Sequence, residues 1–309
     1  MRHLPCTHIA ILLCALISSA CNLTGLLIRS TADATAEAGA EIGPKLSDPE
    51  LLKSTMESGI IATQGVLYYE DEYEPVLMGY ILTRLGYGLI WMGEESARLE
   101  QAGKFEEAER VNARADLLFS QALNQAKRVL RLRDDGFDAA MAGGVDVFKV
   151  WVDEQFYRVD DAEPLLMLAG AWFIGALSSD EGLAGAVDIP YARYMVERSI
   201  QLDPEANASL GMVALGTYEC VMPELMGGKP ELGIKLLTKA MEQTERKAHG
   251  ILVTLAERCA VAKQDRKMFH DLLMEVIEAG DEPEYRLFNK IARHRAERLL
   301  TQMDELFYD

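Results

Sequence analysis

The sequence predicts an all-α fold built from irregular helix pairs, on three observations. Apolar residues recur at helical spacing over most of the chain. Proline-led, acid-rich helix starts recur as well. Alternating apolar and polar runs bounded by turn pairs, the mark of a sheet, are absent.

The first 21 residues stand apart from this pattern. Arg2 precedes an apolar run from Ile9 to Ile17, followed by Ser18-Ser19-Ala20-Cys21. A short cationic start, a short apolar run and small residues form a secretory signal peptide, and the run is too short for a membrane span. A Cys directly after Ser-Ser-Ala reads as a lipoprotein box, although Ser18 stands where Leu is usual. The expectation is that Cys21 is acylated and becomes the first mature residue, which holds the protein outside the cytoplasm on a bacterial membrane. Asn22 lacks the inner-membrane aspartate signal and so favours the outer membrane.

Residues 22–46 are rich in Ala, Thr, Gly and Glu, with little apolar periodicity, and read as a flexible tether. The expected organisation is therefore a signal peptide at 1–20, the lipidated Cys and tether at 21–46, and a single helical-repeat domain at 47–309.

Asp48-Pro49-Glu50 opens the first helix of that domain: a capping carboxylate, Pro in the first turn, then an acid near the positive helix end. Ala115, Phe119, Ala122, Ala126 and Val129 follow helical spacing. So do Met268, Phe269, Leu272, Leu273, Val276 and Ile277. A final stripe holds Phe288, Ala292, Ala296, Leu299, Met303 and Leu306. Proline-led starts recur at Asp203-Pro204-Glu205, Lys229-Pro230-Glu231 and Glu282-Pro283-Glu284. Gly227-Gly228 and Gly280 stand where the preceding helices would end. Ala192, Val196 and Ser199, then Pro204, fit the second helix of a tetratricopeptide repeat, and Gly233, Leu237 and Ala240 repeat that spacing. The two are too far apart for a consensus array, so the expected architecture is an irregular, tetratricopeptide-like solenoid.

Composition narrows the partners. Loss of Arg2 with the signal peptide takes the formal net charge from -18 to -19. So acidic a surface repels phosphate backbones, which argues against nucleic acid. Among five cysteines, Cys220 and Cys259 remain as a pair once Cys21 is acylated; they form either a disulfide or two separately buried thiols. No segment after residue 21 reads as a span: Leu165–Leu177 is short and Val76–Gly93 is interrupted by Arg84.

Chemistry-bearing motifs are few. Three histidines remain after the signal peptide, His249, His270 and His294; scattered, without paired spacing or a Cys-x-x-Cys, they provide no metal site. No nucleophile elbow or phosphate loop is present, so the chain does not read as an enzyme and no cofactor is expected beyond the lipid on Cys21. The acidic run Glu70-Asp71-Glu72-Tyr73-Glu74 lacks the order of a calcium loop and reads as a solvated turn. Arg293, Arg295 and Arg298 gather positive charge on the last helix, to pair with Glu297, Asp304 and Glu305 or to meet an acidic partner. Trp91, Trp151, Trp172, Phe173 and Tyr157 are the ligand-cleft candidates, and each has core packing as its alternative. The run Met167–Leu177, apolar all round, is either a buried central helix or a cleft wall.

A resemblance adds to this reading. Gly227-Gly228-Lys229-Pro230-Glu231-Leu232-Gly233, Gln264–Phe269, Leu272–Val276, Asn289–Leu300 and Asp304–Phe307 occur in an order that resembles the T-component family of TRAP transporters. Arg114–Phe119, Asp134–Phe137, Ala169–Trp172 and Met195–Ser199 agree upstream. The resemblance implies a periplasmic, lipid-anchored, helical accessory protein that binds the transporter's substrate-binding protein and passes an apolar ligand. It also implies that copies of the chain can trimerise. The competing expectation is a tetratricopeptide-like scaffold for envelope assembly, with a packed centre and no ligand.

Overall fold

A computed structural model describes residues 25–178 and 183–308 of the 309-residue chain. The signal peptide and Cys21 lie outside the described residues. The described residues are helical, with no strands among them.

The first helix is a correction. Residues 25–42, expected as flexible tether, form helix α1. Five alanines between Ala32 and Ala40 favour helix in the absence of a core-facing stripe. Two distant contacts hold it: Arg29 with Glu70 at 2.7 Å, and the Tyr73 hydroxyl donating to Asp33 at 2.8 Å.

Helix α2 (Pro49–Leu67) begins as expected, with Asp48 accepting from the backbone N–H groups of Glu50 and Leu51 at 3.0 and 3.2 Å. Helices α3 (Glu74–Gly86) and α4 (Gly93–Gln101) are one continuous run, Glu74–Gln101, with a π turn at Tyr87–Met92. At 28 residues it is long and apolar enough to cross a bilayer, contrary to the sequence expectation. Its apolar residues are nevertheless spent on the core: Val76, Leu77, Tyr80, Ile81 and Leu85 are buried, and half of the span is enclosed by protein.

Helix α5 (Phe105–Arg133) buries Ala115, Phe119, Ala122, Ala126 and Val129. Short α6 (Phe137–Ala142) and α7 (Val145–Gln155) lead to α8 (Ala162–Leu177). α8 is the buried central helix rather than a cleft wall. Leu165, Leu168, Ala169, Ala171 and Trp172 are wholly enclosed. Gly175 lets α5 close in, since a Cβ there would stand 2.7 Å from Leu123.

α9 (Leu183–Leu202) packs on α8, with Ala192, Val196 and Ser199 buried at the repeat-like positions. α10 (Ala206–Val221) and α11 (Pro230–Gln243) pack closely on one another. Then come α12 (His249–Thr254) with a π turn at Leu255–Ala260, α13 (Arg266–Glu278), α14 (Arg286–Thr301) and α15 (Met303–Leu306).

Two of the proline-led starts shift. Pro230 opens α11, but Pro204 and Pro283 sit in turns just before α10 and α14. After Pro204 the backbone of Asn207, Ala208 and Ser209 is left-handed, so regular helix begins only beyond them. The last stripe departs at its first member: Ala292, Ala296 and Leu299 are buried as expected, but Phe288 is 42% exposed, while neighbouring Leu287 is enclosed.

Neighbours in sequence are mostly neighbours in space, and two cores result. One spans α2 to α10 and the other α10 to α15, with α10 shared through Leu215 and Met212 and with Ile200 and Leu236 packed against both. The chain then returns on itself. Arg298 of α14 grips Glu94 of α4 through two bonds of 2.7 and 3.0 Å, Gln101 meets Thr301, and Lys290 reaches the carbonyl of Ser47.

Candidate functional site

The aromatic candidates separate into a packed centre and scattered outliers. The turn after α5 places Asp134 to accept from both the Gly136 N–H and the Trp151 indole, at 2.8 and 2.7 Å. Trp151 stacks on Phe148 with centroids 5.7 Å apart and meets Phe137 and Phe156 edge-on. One helix away, Trp172 is fully buried, lies parallel to Tyr191 at 6.1 Å, and meets Phe137 and Phe148 edge-on. Each such aromatic pair contributes about 0.5–1.5 kcal/mol beyond its buried area. The Trp172 indole donates to Asp188 at 2.8 Å, Lys127 donates to the same oxygen at 2.7 Å, and its ammonium sits over the Trp172 ring.

Trp151 and Trp172 are therefore core residues with satisfied indoles, and not cleft walls. Sequence could not separate the two roles, because both use large aromatics near small residues. Tyr157 lies 69% exposed on the turn before α8. Phe173, one residue past Trp172, points to another side of α8 and meets Tyr218 edge-on at 5.0 Å. Behind that pair Arg193 spans Glu197 at 2.9 Å and the fully buried Glu219 at 2.6 Å.

Trp91 differs from the other two tryptophans. It lies within the π turn Tyr87–Met92, is only half-buried, and its enclosed indole N–H has no acceptor among the described residues. Single π turns inside α-helices often mark functional positions. Beside it Gly88 admits the Phe119 ring, which a Cβ would meet at 2.4 Å. Burial and the hydrogen bond to Glu57 push the neighbouring Tyr87 phenol up to about 12, so it stays neutral.

Sequence reasoning missed the buried charges. Arg84, noted only as an interruption of an apolar run, is 2% exposed. Its guanidinium lies over the Tyr80 ring and donates to Gln121, Thr63, Gln64 and the carbonyls of Tyr80 and Ile60, all neutral. It ties α2, α3 and α5 together, and burial pushes its pKa down. A charged residue inside an apolar helical run was the available signal.

The C-terminal arginines pair, but across the fold. Arg295 bonds Glu257, Arg298 bonds Glu94, and Arg293 caps the carbonyl of Ala279. Cys220 and Cys259 are joined as a disulfide, with Cα atoms 5.0 Å apart, linking α10 to the π turn after α12. Open depressions lie along α13 and at the α4–α5 turn, and neither is lined by any of the five aromatic candidates. Among the described residues no group of three His, Cys, Asp or Glu side chains is placed to hold a metal.

Comparison with protein families decides the identity. The TRAP transporter T-component family matches residues 46–307, most of the chain. The chain belongs to that family. T-components are accessory parts of a transporter in the bacterial envelope and are not known as enzymes. No curated protein matches the chain.

Proposed function

We propose that this T-component is exported, acylated on Cys21 and held in the periplasm, with the outer membrane favoured, where it binds the substrate-binding protein of its TRAP transporter. The family match over 46–307 carries this reading. Stacked helix pairs of tetratricopeptide-like kind offer the continuous surface that such a partner needs. The role is binding and hand-over, with no bond made or broken and no cofactor. An apolar ligand with one hydrogen-bond acceptor belongs beside Trp91, whose indole N–H has no acceptor among the described residues, rather than at the filled centre around Trp172. Trimerisation remains part of the proposal.

The packing around Trp172 favours one competing reading, an envelope scaffold that carries no small molecule. A pull-down from periplasmic extract distinguishes the two, with the Cys21→Ser chain as bait and mass spectrometry as readout. Recovery of a TRAP-type substrate-binding protein is expected. Recovery of envelope-assembly proteins without any TRAP component would replace transport with scaffolding.

A further inference from the structure

We infer that the corner formed by Leu26, Leu27, Tyr68 and Tyr69 rests on the lipid bilayer and sets the orientation of the anchored protein. The inference depends on acylation of Cys21, as proposed above.

The chain enters the described structure at Gly25, packed so tightly on Glu70 that a Cβ would stand 2.5 Å from the carboxylate oxygen. The four residues from Cys21 to Gly25 reach about 14 Å when fully extended. The acyl chains therefore start within that distance of Glu70, and the bilayer surface lies against this corner rather than elsewhere on the molecule.

What the corner displays suits that position. Leu26 and Leu27 are 63% and 58% exposed, and Tyr68 and Tyr69 are 83% and 67% exposed. The two tyrosine rings meet edge-on at 5.1 Å. Tyrosine is favoured at the headgroup level, where its ring meets acyl chains and its hydroxyl meets water.

The electrostatics agree. A chain at -19 after signal-peptide removal would be repelled by anionic lipid, and acidic groups at the contact would add to that. Here three of the local carboxylates are held by arginines: Glu70 by Arg29 at 2.7 Å, Asp71 by Arg128 at 2.9 Å, and Glu74 by Arg133 at 3.3 Å. Three of the four carboxylates in the acidic run Glu70–Glu74 are thus paired with arginines in a turn beside α1. Acyl chains alone would hold the protein on a swivel; four apolar side chains beside the anchor give it one preferred face.

The test uses the acylated protein in vesicles of phosphatidylethanolamine and phosphatidylglycerol, with Cys21 acylation verified by mass spectrometry. A nitroxide is placed at Tyr69→Cys, and in a second protein at Leu225→Cys on the α10–α11 turn. On anchoring, the label at 69 should lose collisions with a water-soluble nickel chelate and gain collisions with oxygen, relative to the unanchored Cys21→Ser chain. The label at 225 should keep its aqueous exposure. Adding Leu26→Ser and Leu27→Ser should return the label at 69 towards water while acylation persists. A label at 69 that stays as water-accessible on vesicles as in the unanchored chain would overturn the docking, with acylation intact. Absence of acyl chains on Cys21 would instead overturn the anchoring on which the docking rests.

Discussion

Arg84 shows how a single side chain organises the N-terminal half. Among the described residues it has no carboxylate partner, so its buried charge is balanced by neutral acceptors and the Tyr80 ring. Lysine carries the charge but cannot reach acceptors on three helices with one ammonium. Arg84→Lys should therefore destabilise the protein by about 1–3 kcal/mol, read as a lower urea midpoint, because buried acceptors lose their donor. A midpoint equal to wild type would show that the fork geometry contributes nothing. His249 is a second buried polar residue, and burial lowers its pKa below the ordinary 6.5. The folded state thus prefers neutral imidazole. The stabilisation is present above pH 6.5 and is lost as pH falls through the lower, folded value. The stability difference between wild type and His249→Gln should accordingly shrink as pH falls below 6.5, measured by urea titrations at several pH values.

At the scale of elements, the α10–α11 contact is a close helix approach, backbone against backbone, that glycine makes possible. A Cβ at Gly233 would stand 2.5 Å from Cys220 Sγ and 2.6 Å from the Gly216 carbonyl, and one at Gly216 would stand 2.9 Å from Leu237. Backbone atoms cannot step aside as a flexible side chain can. Gly233→Ala should cost about 1–3 kcal/mol of overpacking, despite the better helix propensity of Ala. A rise in melting temperature would refute the contact. Gly233 was marked in sequence as a small residue that lets neighbouring helices approach closely, and close approach is what the packing displays. The disulfide at the same junction was left open, because 39 residues of separation say nothing about distance. The helices were legible from their stripes, as α5 shows. Phe288 was misplaced: it lies in the first turn of α14, where Leu287, about 100° round the helix, takes the core position instead.

For the whole molecule, the contacts between α14 and α4 close the chain on itself across 204 residues. Arg298 and Glu94 are only 11% and 28% exposed and bond in bidentate fashion, so their coupling should exceed that of an ordinary surface pair. A double-mutant cycle with Arg298→Ala and Glu94→Ala should return about 1 kcal/mol or more of coupling. Amide exchange should also quicken at both 94–101 and 298–302 in either single variant. Exchange confined to the mutated helix would mean that the seam does not join the halves.

The sequence by itself determined the helical class, the main core stripes and the family, because 3.6-residue periodicity and ordered motifs are local properties of the chain. It also marked Trp91, Trp151 and Trp172 as notable without telling wall from core. Only the tertiary structure decided that Trp172 is enclosed, that 25–42 is a docked helix, and that Arg295 and Arg298 bond to Glu257 and Glu94. Those outcomes depend on which helix faces lie opposite one another across tens to hundreds of residues. Burial and pairing are properties of two surfaces together, and one stretch of sequence specifies only its own.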